Sequence, residues 1–521
     1  MEELTIDLFE PGMSPLHRAG LGGLAATIRW LDDERTPAAR RPPGKLSYDD
    51  RTVTLSWESP GDAGAFLQKL YESAFDLDEG LIHLPGSYGA TPPEEPVKAA
   101  LQAGMSQTIL QFGPNRKAEG PPRIGRYEAD EKTVSYQYQN LIGYTHRSAW
   151  KDLVTSKGTL RRWVSISGTI APGFVQRHVA FPDTTIQQPP GYAIALHFAL
   201  VGTFALSAGA KGGVLVVPDV EALRTFAKRR ALLNPNEPKY CRISSPADAV
   251  LQAMVRLRKH GAQETLGVRR CLAVLFASQS WNEKQKTRAA VLDVEPDEKA
   301  LELFDVAMHE LPPRVAQASK PDKKGEEPGA FWADSVVRPL IAENLARGQP
   351  WFEDFRSLIV APDGKTDETR VRILSYEQKG LATMIDQDWE EQGQKKLVEA
   401  VHAAMRRQFY MIWKDAAGNN AAYRNRLDRQ MQRWRLAFAG AKTPDDVRNA
   451  LTDMWSRSAP NDVLKRAWSA VLPLLCNDAH WKLNRDLALL ALASYSNPKP
   501  DDQGSPVDES DVDASDVDDE P

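Results

Sequence analysis

The sequence predicts an α+β chain: a mixed α/β body over residues 1–380, a helical bundle over 381–497 and a disordered acidic tail over 498–521. Three observations predict it. Period-two apolar runs recur between helical stretches through the first 300 residues. From Leu381 to Asn497 the strand signal vanishes, and apolar residues return at spacings of three and four. Residues 501–521 hold ten acidic side chains and no basic one, a composition that cannot bury enough apolar surface to fold. A chain of 521 residues with 42% apolar content suits two to four domains with sizeable cores.

Taken in order, Leu4, Ile6 and Leu8 alternate as a short strand, and Glu10-Pro11-Gly12 turns the chain. Leu21, Leu24, Ile28 and Leu31 mark a helix that begins at Leu16. Its glycines, Gly20, Gly22 and Gly23, admit three readings: a phosphate-gripping loop, a tight helix packing or part of a docking surface. No lysine and serine follow them as a phosphate loop requires, and close backbone approach is the favoured reading. Val53, Leu55 and Trp57 alternate after an Asp-Asp turn, a hairpin signal. Leu67, Leu70, Tyr71 and Ala74 form the stripe of a helix. "KTVSYQYQNLIGYTH" reads as one alternating strand. "GYAIALHFALVGTFALSAGA", at 191–210, is long enough to span a bilayer. Its His197 and small residues assign it instead to a buried helix or strand pair. "GGVLVVPDVEALRTFAKRRALL" reads as a strand, a Pro-Asp turn and a helix. "SPADAVLQAMVRLRK" is a capped helix and "RRCLAVLFASQSW" a strand. Residues 314–330, rich in Lys, Pro, Gly and Glu, form a loop or linker. In the bundle, Leu397, Val398, Val401, Ala404 and Met405 open a helix. Further helices are expected at about 420–440, 444–457, 461–475 and 481–495, two of them announced by "KTPDD" and "SAPND" caps.

Composition excludes several function classes. The net charge of −5 argues against nucleic acid until the tail is set aside; the rest carries 65 Lys and Arg against 60 Asp and Glu. The tail reads as a solubilising end, with an intramolecular mimic of nucleic acid as the alternative. Cys241, Cys271 and Cys476 form no Cys-x-x-Cys pair, which suits a reducing cytoplasm, and the amino terminus shows no signal-peptide pattern. There is no Gly-x-x-x-x-Gly-Lys-Ser and no His-Glu-x-x-His, and the nine histidines make no metal-ligand pattern with the cysteines. "GTIAPG" and "FASQS" supply no nucleophile elbow. No metal, cofactor, catalytic set or membrane association is expected, and the chain reads as a binding protein. A metal-dependent nuclease would have to draw on His480 and Asp486, around which the sequence supplies no second acid in a neat set.

The basic residues cluster. Within 381–500 there are 18 Lys and Arg against 13 Asp and Glu. "YRNRLDRQMQRWR" sets Arg426, Arg429 and Arg433 on one helix face with Arg424 and Arg435 flanking it, a stripe suited to a phosphate backbone; an ordinary solvated face is the bland alternative. Upstream, "ILQFGPNRKAEGPPRIGRY" reads as a mobile basic loop with Arg116, Lys117, Arg123 and Arg126. Gln111 and Asn115 on it are candidates for reading base edges. "GYTHRSAWKDLVTSKGTLRRWVSISG" adds His146, Arg147, Lys151, Lys157, Arg161 and Arg162 as DNA or RNA contacts. A surface loop without a ligand is the competing reading for both.

The opening "LFEPGMSPLHRAGLGGLAATI" resembles the amino-terminal signature of the CRISPR-associated large subunit first defined as the Myxococcus subtype, in a type I-B-like Cascade surveillance complex. The closing "WKLNRDLALLALASYS" is similar to that family's carboxyl end. The layout matches over nearly the whole chain, the acidic tail excepted. The resemblance implies a non-catalytic subunit with crRNA, target double-stranded DNA, backbone and handle-binding subunits as partners. It implies reading of the motif beside the target (the PAM), help with unwinding and R-loop stabilisation, and recruitment of a separate helicase-nuclease. In several type I systems the bundle is also made separately as a small subunit by internal translation; here Met384 would be a start just before the bundle, and Val398 or Met405 would cost part of the first helix. His17 and Arg18, after the Pro11-Gly12 turn, are expected at an exposed corner, holding the guide end or a neighbouring subunit. The competing reading has His17 capping or packing a helix and Arg18 paired with an acid. The alternative function is a structural adaptor coupling a guide complex to a transposition machinery.

Overall fold

The computed structural model describes all residues except 90, 112, 167–185, 210–211, 259–266, 277–289, 318–328, 362–363, 388, 390, 460 and 497–521. The acidic tail, "GTIAPG", most of "FASQS" and the middle of the expected 314–330 linker therefore lie outside the described residues. Two compact units divide the chain: Met1–Phe304 with Pro313–Asp334, and Asp305–Pro312 with Ser335–Pro521. The first mixes strands and helices and the second is helical, so the α+β class holds. The Glu368–Asp386 helix of the second unit runs through position 380. No described helix is long and apolar enough to cross a membrane.

The first unit is organised round a helix pair. Ser14 caps the Pro15–Asp32 helix by accepting from the His17 backbone. Its buried residues Leu21, Leu24, Ile28 and Leu31 recur as the sequence spacing requires. It packs against the Pro190–Gly202 helix through glycine. A Cβ on Gly20 would fall on the Ala195 carbonyl, and one on Gly23 would lie 2.5 Å from both Gly202 N and Phe198 O. Gly202 in turn faces the Ala19 carbonyl. The glycine run is thus a helix-crossing surface. The third glycine, Gly22, makes room for the Phe226 ring.

Beside this pair stands an antiparallel sheet in the order Phe204–Ser207, Gly213–Val220, Val268–Phe276, Ala290–Val294. All eight residues of Gly213–Val220 are buried. Two expectations are corrected here. The 191–210 segment is one helix followed by one strand. The Pro218-Asp219 pair does not turn the chain. It lies inside the strand, where a bulge between Pro218 and Val220 absorbs the missing donor of proline. Burial on both sides selected a continuous strand over the local turn signal.

A second four-stranded sheet runs Arg314–Gln317, Ala330–Ala333, Lys132–Tyr138, Arg123–Ala129. The expected single strand of "KTVSYQYQNLIGYTH" is two: Leu141–Tyr144 leaves this sheet and pairs with Arg116–Ala118. The opening strand Glu2–Asp7 pairs with the hairpin Lys45–Tyr48 and Thr52–Trp57. In the second unit, helices span Gln392–Ala416, Asn420–Gly440, Pro444–Arg457, Asp462–Cys476 and Trp481–Ser494, close to the expected bounds. Thr443 and Asn461 cap the third and fourth of these.

The helix crossing sets the first prediction. Gly23→Ala forces two backbones apart and should cost about 3 kcal/mol, read as a lowered urea midpoint. Gly143→Ala, whose Cβ meets nothing within 4 Å, should stay within about 0.5 kcal/mol of the parent.

Candidate nucleic-acid interface

The predicted basic segment is mostly built structure. A short 3-10 turn, Gly113–Asn115, leads into Arg116–Ala118, which pairs with Leu141–Tyr144 so that Arg116 faces Tyr144 and Lys117 faces Gly143. Strand alternation sends Arg116 inward, half-buried, and Lys117 outward. Only residues 119–122 link the two strands of this stretch, so the expectation of a mobile loop is corrected.

Lys117 and Asn115 line a cleft of about 770 Å³. Its other wall comes from Pro37, the 3-10 turn Ala38–Arg40 and the Ala63–Ala74 helix with Lys69, Glu72 and Ser73; Thr145 and Arg147 complete it. Asp76 holds two of the cations, accepting from Arg40 at 2.8 Å and standing 3.7 Å from Arg147. The Ser73 hydroxyl donates to the Arg40 carbonyl. Lys69 and Lys117 have no side-chain partner among the described residues. Four cations thus face two carboxylates, and the cleft favours an anion. Asn115 is 3% exposed, and its Nδ2, like Thr145 Oγ1, has no hydrogen-bond partner. Unmade bonds of this kind cost about 1–3 kcal/mol each. Arg40, Lys69 and Thr145 escaped the sequence reading. The Arg40-Arg41 pair before two prolines was a visible signal; Lys69 was hidden on the polar face of an ordinary amphipathic helix.

The remaining predicted contacts scatter. Gln111 is half-buried with its Nε2 unpartnered. Burial lowers the pKa of the half-buried Arg116 guanidinium. Arg123 is exposed and donates to the Glu79 carbonyl at 2.9 Å. Arg126 is exposed, opposite Ser135 on the outer face of the second sheet. Lys151 stands 5.9 Å over the Trp150 ring, and Lys157 is exposed at a turn. Arg161 donates to the Val154 carbonyl at 2.8 Å, while Arg162 is exposed beside the exposed Trp163 and has no partner among the described residues.

His146 is a correction. It is fully buried among Phe75, Tyr144 and His197, and neither ring nitrogen has a partner. It cannot reach nucleic acid. Burial, with a smaller contribution from His197, pushes its pKa down to about 3; burial does the same to His197, whose Nδ1 meets the Tyr71 hydroxyl at 2.8 Å.

His17 and Arg18 are corrected as well, because neither stands at an exposed corner. His17 is buried, its Nδ1 accepting from the Ser14 backbone and its Nε2 lying 3.0 Å from Gln188 Oε1. Desolvation lowers its pKa against that hydrogen bond. Arg18 donates to Asp219 at 2.6 Å, and Asp219 also accepts from Arg270. The competing reading, a capping histidine and a paired arginine, is the arrangement found.

On the Asn420–Gly440 helix, Arg426, Arg429 and Arg433 are exposed opposite the buried Trp434 and Phe438. Arg433 shares Asp453 with Arg457, and Arg426 reaches the Asp415 carbonyl at 3.4 Å. Arg424 and Arg435 lie eleven residues apart, roughly in line with each other and well round the helix from the trio at about 100° per residue. Arg435 is half-buried, and desolvation lowers its pKa. The stripe is therefore three residues wide, with one charge shared. Asp486 is buried against Arg485 and the Arg356 backbone, and burial raises its pKa to about 6. His480 lies in the short Asp478–His480 turn before the Trp481–Ser494 helix that carries Asp486. Among the described residues no three His, Cys, Asp or Glu form a metal-binding group.

Exposed basic side chains stand on the α+β unit and on the helical unit. Residues 5–197 match the family model for the DevT N-terminal domain, and residues 386–520 match that for the DevT C-terminal domain. The CRISPR-associated protein Cas8a1/Csx13 of Myxococcus xanthus (strain DK1622) is 33% identical over 511 residues, 94% of this chain and 88% of that protein. The chain belongs to this family of CRISPR-associated proteins.

The buried histidines set the second prediction. Each is neutral when folded and takes a proton near pH 6.5 when unfolded. Between about pH 6.5 and 3 the unfolded chain binds more protons, so stability falls as pH drops through that window. His146→Phe should flatten this acid limb and raise stability at pH 7 by about 1 kcal/mol, measured as urea midpoints at pH 7.5 and 5.

Proposed function

We propose that this chain is the large, non-catalytic subunit of a crRNA-guided type I Cascade complex, and that its cleft contacts nucleic acid beside the target. The supporting observation is the 33% identity to a CRISPR-associated protein across 94% of the chain. In this reading the subunit recognises the PAM on duplex DNA, aids unwinding, stabilises the R-loop and recruits a helicase-nuclease, while guide pairing reads the sequence. Lys117 and Arg147 supply backbone charge in the cleft, Asn115 a base-edge donor, and the arginines of the Asn420–Gly440 helix hold a phosphate backbone. The type I-B assignment and the cytoplasmic location belong to the same proposal. A product started at Met384 would retain all five helices from Gln392 onward and would serve as a small subunit.

The test assembles the chain with its guide RNA and partner subunits and measures binding to duplexes carrying a matched target and a randomised flank. Enrichment of a two- or three-base flank is expected. The Lys117→Glu, Arg147→Glu double variant should weaken binding at least tenfold at low salt; binding unchanged by it would remove the cleft from the interface. Arg426→Glu with Arg429→Glu should weaken binding to all sequences alike and reduce the salt slope by about 1–2. A sequence-dependent loss would contradict a backbone role.

A further inference from the structure

A second cleft, of about 730 Å³, lies beside the first, and Pro37 lines both. We propose that the two clefts form one track for a single, unpaired nucleic-acid strand, which crosses the sill at Pro37 and lays its bases against Trp30 and Tyr48. This rests on the reading of the first cleft as a nucleic-acid contact.

The chemistry of the two chambers differs in a way that suits a strand. The first is polar and cationic, with Lys69, Lys117 and the unpartnered amide of Asn115. The second is walled by two half-buried aromatic residues: Trp30 at the end of the Pro15–Asp32 helix and Tyr48 at the end of the Lys45–Tyr48 strand. Arg29, Arg35 and Lys228 stand on the same cleft. Arg35 is taken up by the carboxylate of Asp33, with two bonds at 2.9 and 2.7 Å, and Asp32 lines the cleft too, which leaves Arg29 and Lys228 against one further acid.

The sill is held rigidly. Thr36 Oγ1 donates to the Trp30 carbonyl at 2.6 Å, and Arg41 donates to the carbonyls of Leu31 and Asp33. These bonds tie the Pro37 segment to the end of the helix that carries Trp30, while Arg40 extends from it into the first cleft. One short, pinned segment therefore connects a phosphate-accepting chamber to an aromatic one.

Unpaired strands are bound in this manner: cations follow the backbone and aromatic faces take successive bases, at about 1–3 kcal/mol per stacked base. Each chamber falls in the usual range of small-ligand clefts, about 300–1,000 Å³, room for a nucleotide or two. A duplex keeps its base faces stacked inside the helix and offers none to Trp30.

The experiment uses the full chain with fluorescein-labelled 12-mers of uridine and of thymidine, and a duplex of the same length as control. Trp30→Leu and Tyr48→Leu keep apolar bulk but remove the ring. Each is expected to weaken binding of the single strands about five- to a hundredfold, with duplex binding unchanged; the stronger of the uridine and thymidine arms distinguishes an RNA from a DNA strand. Oligonucleotides carrying 5-iodouridine should crosslink on the unsubstituted protein to peptides containing Trp30 or Tyr48. If both leucine variants bind like the parent and no such crosslink forms, while Lys117→Glu loses binding, the second chamber is excluded and the reading of the first stands. If Lys117→Glu also binds like the parent, the nucleic-acid reading of the first cleft fails with it.

Discussion

The first unit depends on one close contact, the crossing of the Pro15–Asp32 and Pro190–Gly202 helices over glycine. Side chains normally hold packed helices about 8–10 Å apart. Here Gly20 and Gly23 on one helix and Gly202 on the other leave the backbones to meet each other. The nearness serves neighbouring elements. Arg18 reaches Asp219 in the buried strand, and Asp219 binds Arg270 on the next strand, so the helix is stitched to the sheet at two steps. Arg230 is wholly buried and satisfies the carbonyls of Val201 and Thr203 at the end of the partner helix; burial brings its pKa down to about 9. Basic side chains with no surface role thus hold the scaffold.

That scaffold sets the cleft. The far end of the opening helix carries the Arg41-anchored segment whose Arg40 stands at the cleft wall. The Ala63–Ala74 helix turns its apolar stripe to the core and leaves Lys69 and Glu72 on the same wall as Arg40. Asp76 keeps Arg40 and Arg147 near each other without burying either. Partly exposed pairs of this sort contribute about 0–1 kcal/mol to stability, and their effect here is to orient guanidinium groups in a site that other cations leave positive. In the proposed reading, an incoming phosphate would meet donors already in place and lose less to their ordering.

Similarity to the Myxococcus xanthus relative spans both units. The same comparison does not distinguish the structural basic residues from the exposed ones. Arg18 and Arg162 look equivalent in a list of positive charges, yet one is bound to an acid at 2.6 Å and the other meets solvent.

The sequence by itself determined the class, because apolar periodicity reports which face of each element is buried. It placed the last four helices of the second unit nearly to the residue, since proline, Thr443 and Asn461 act within one turn of the backbone, but not the Arg338–Ala346 and Glu368–Asp386 helices before them. It also anticipated close packing at Gly20, Gly22 and Gly23. Tertiary structure decided what local signals could not. Pro218-Asp219 became strand because burial on both faces outweighed turn preference. Arg116 went half inward because strand alternation and the pairing with Leu141–Tyr144 chose its face, and His146, in the 3-10 turn Thr145–Ser148 that follows, went to the core among Phe75, Tyr144 and His197. The cleft itself joins residues 37–40, 69–76, 113–117 and 143–148. No short-range pattern connects these segments; only the folded chain brings their charges within reach of one ligand.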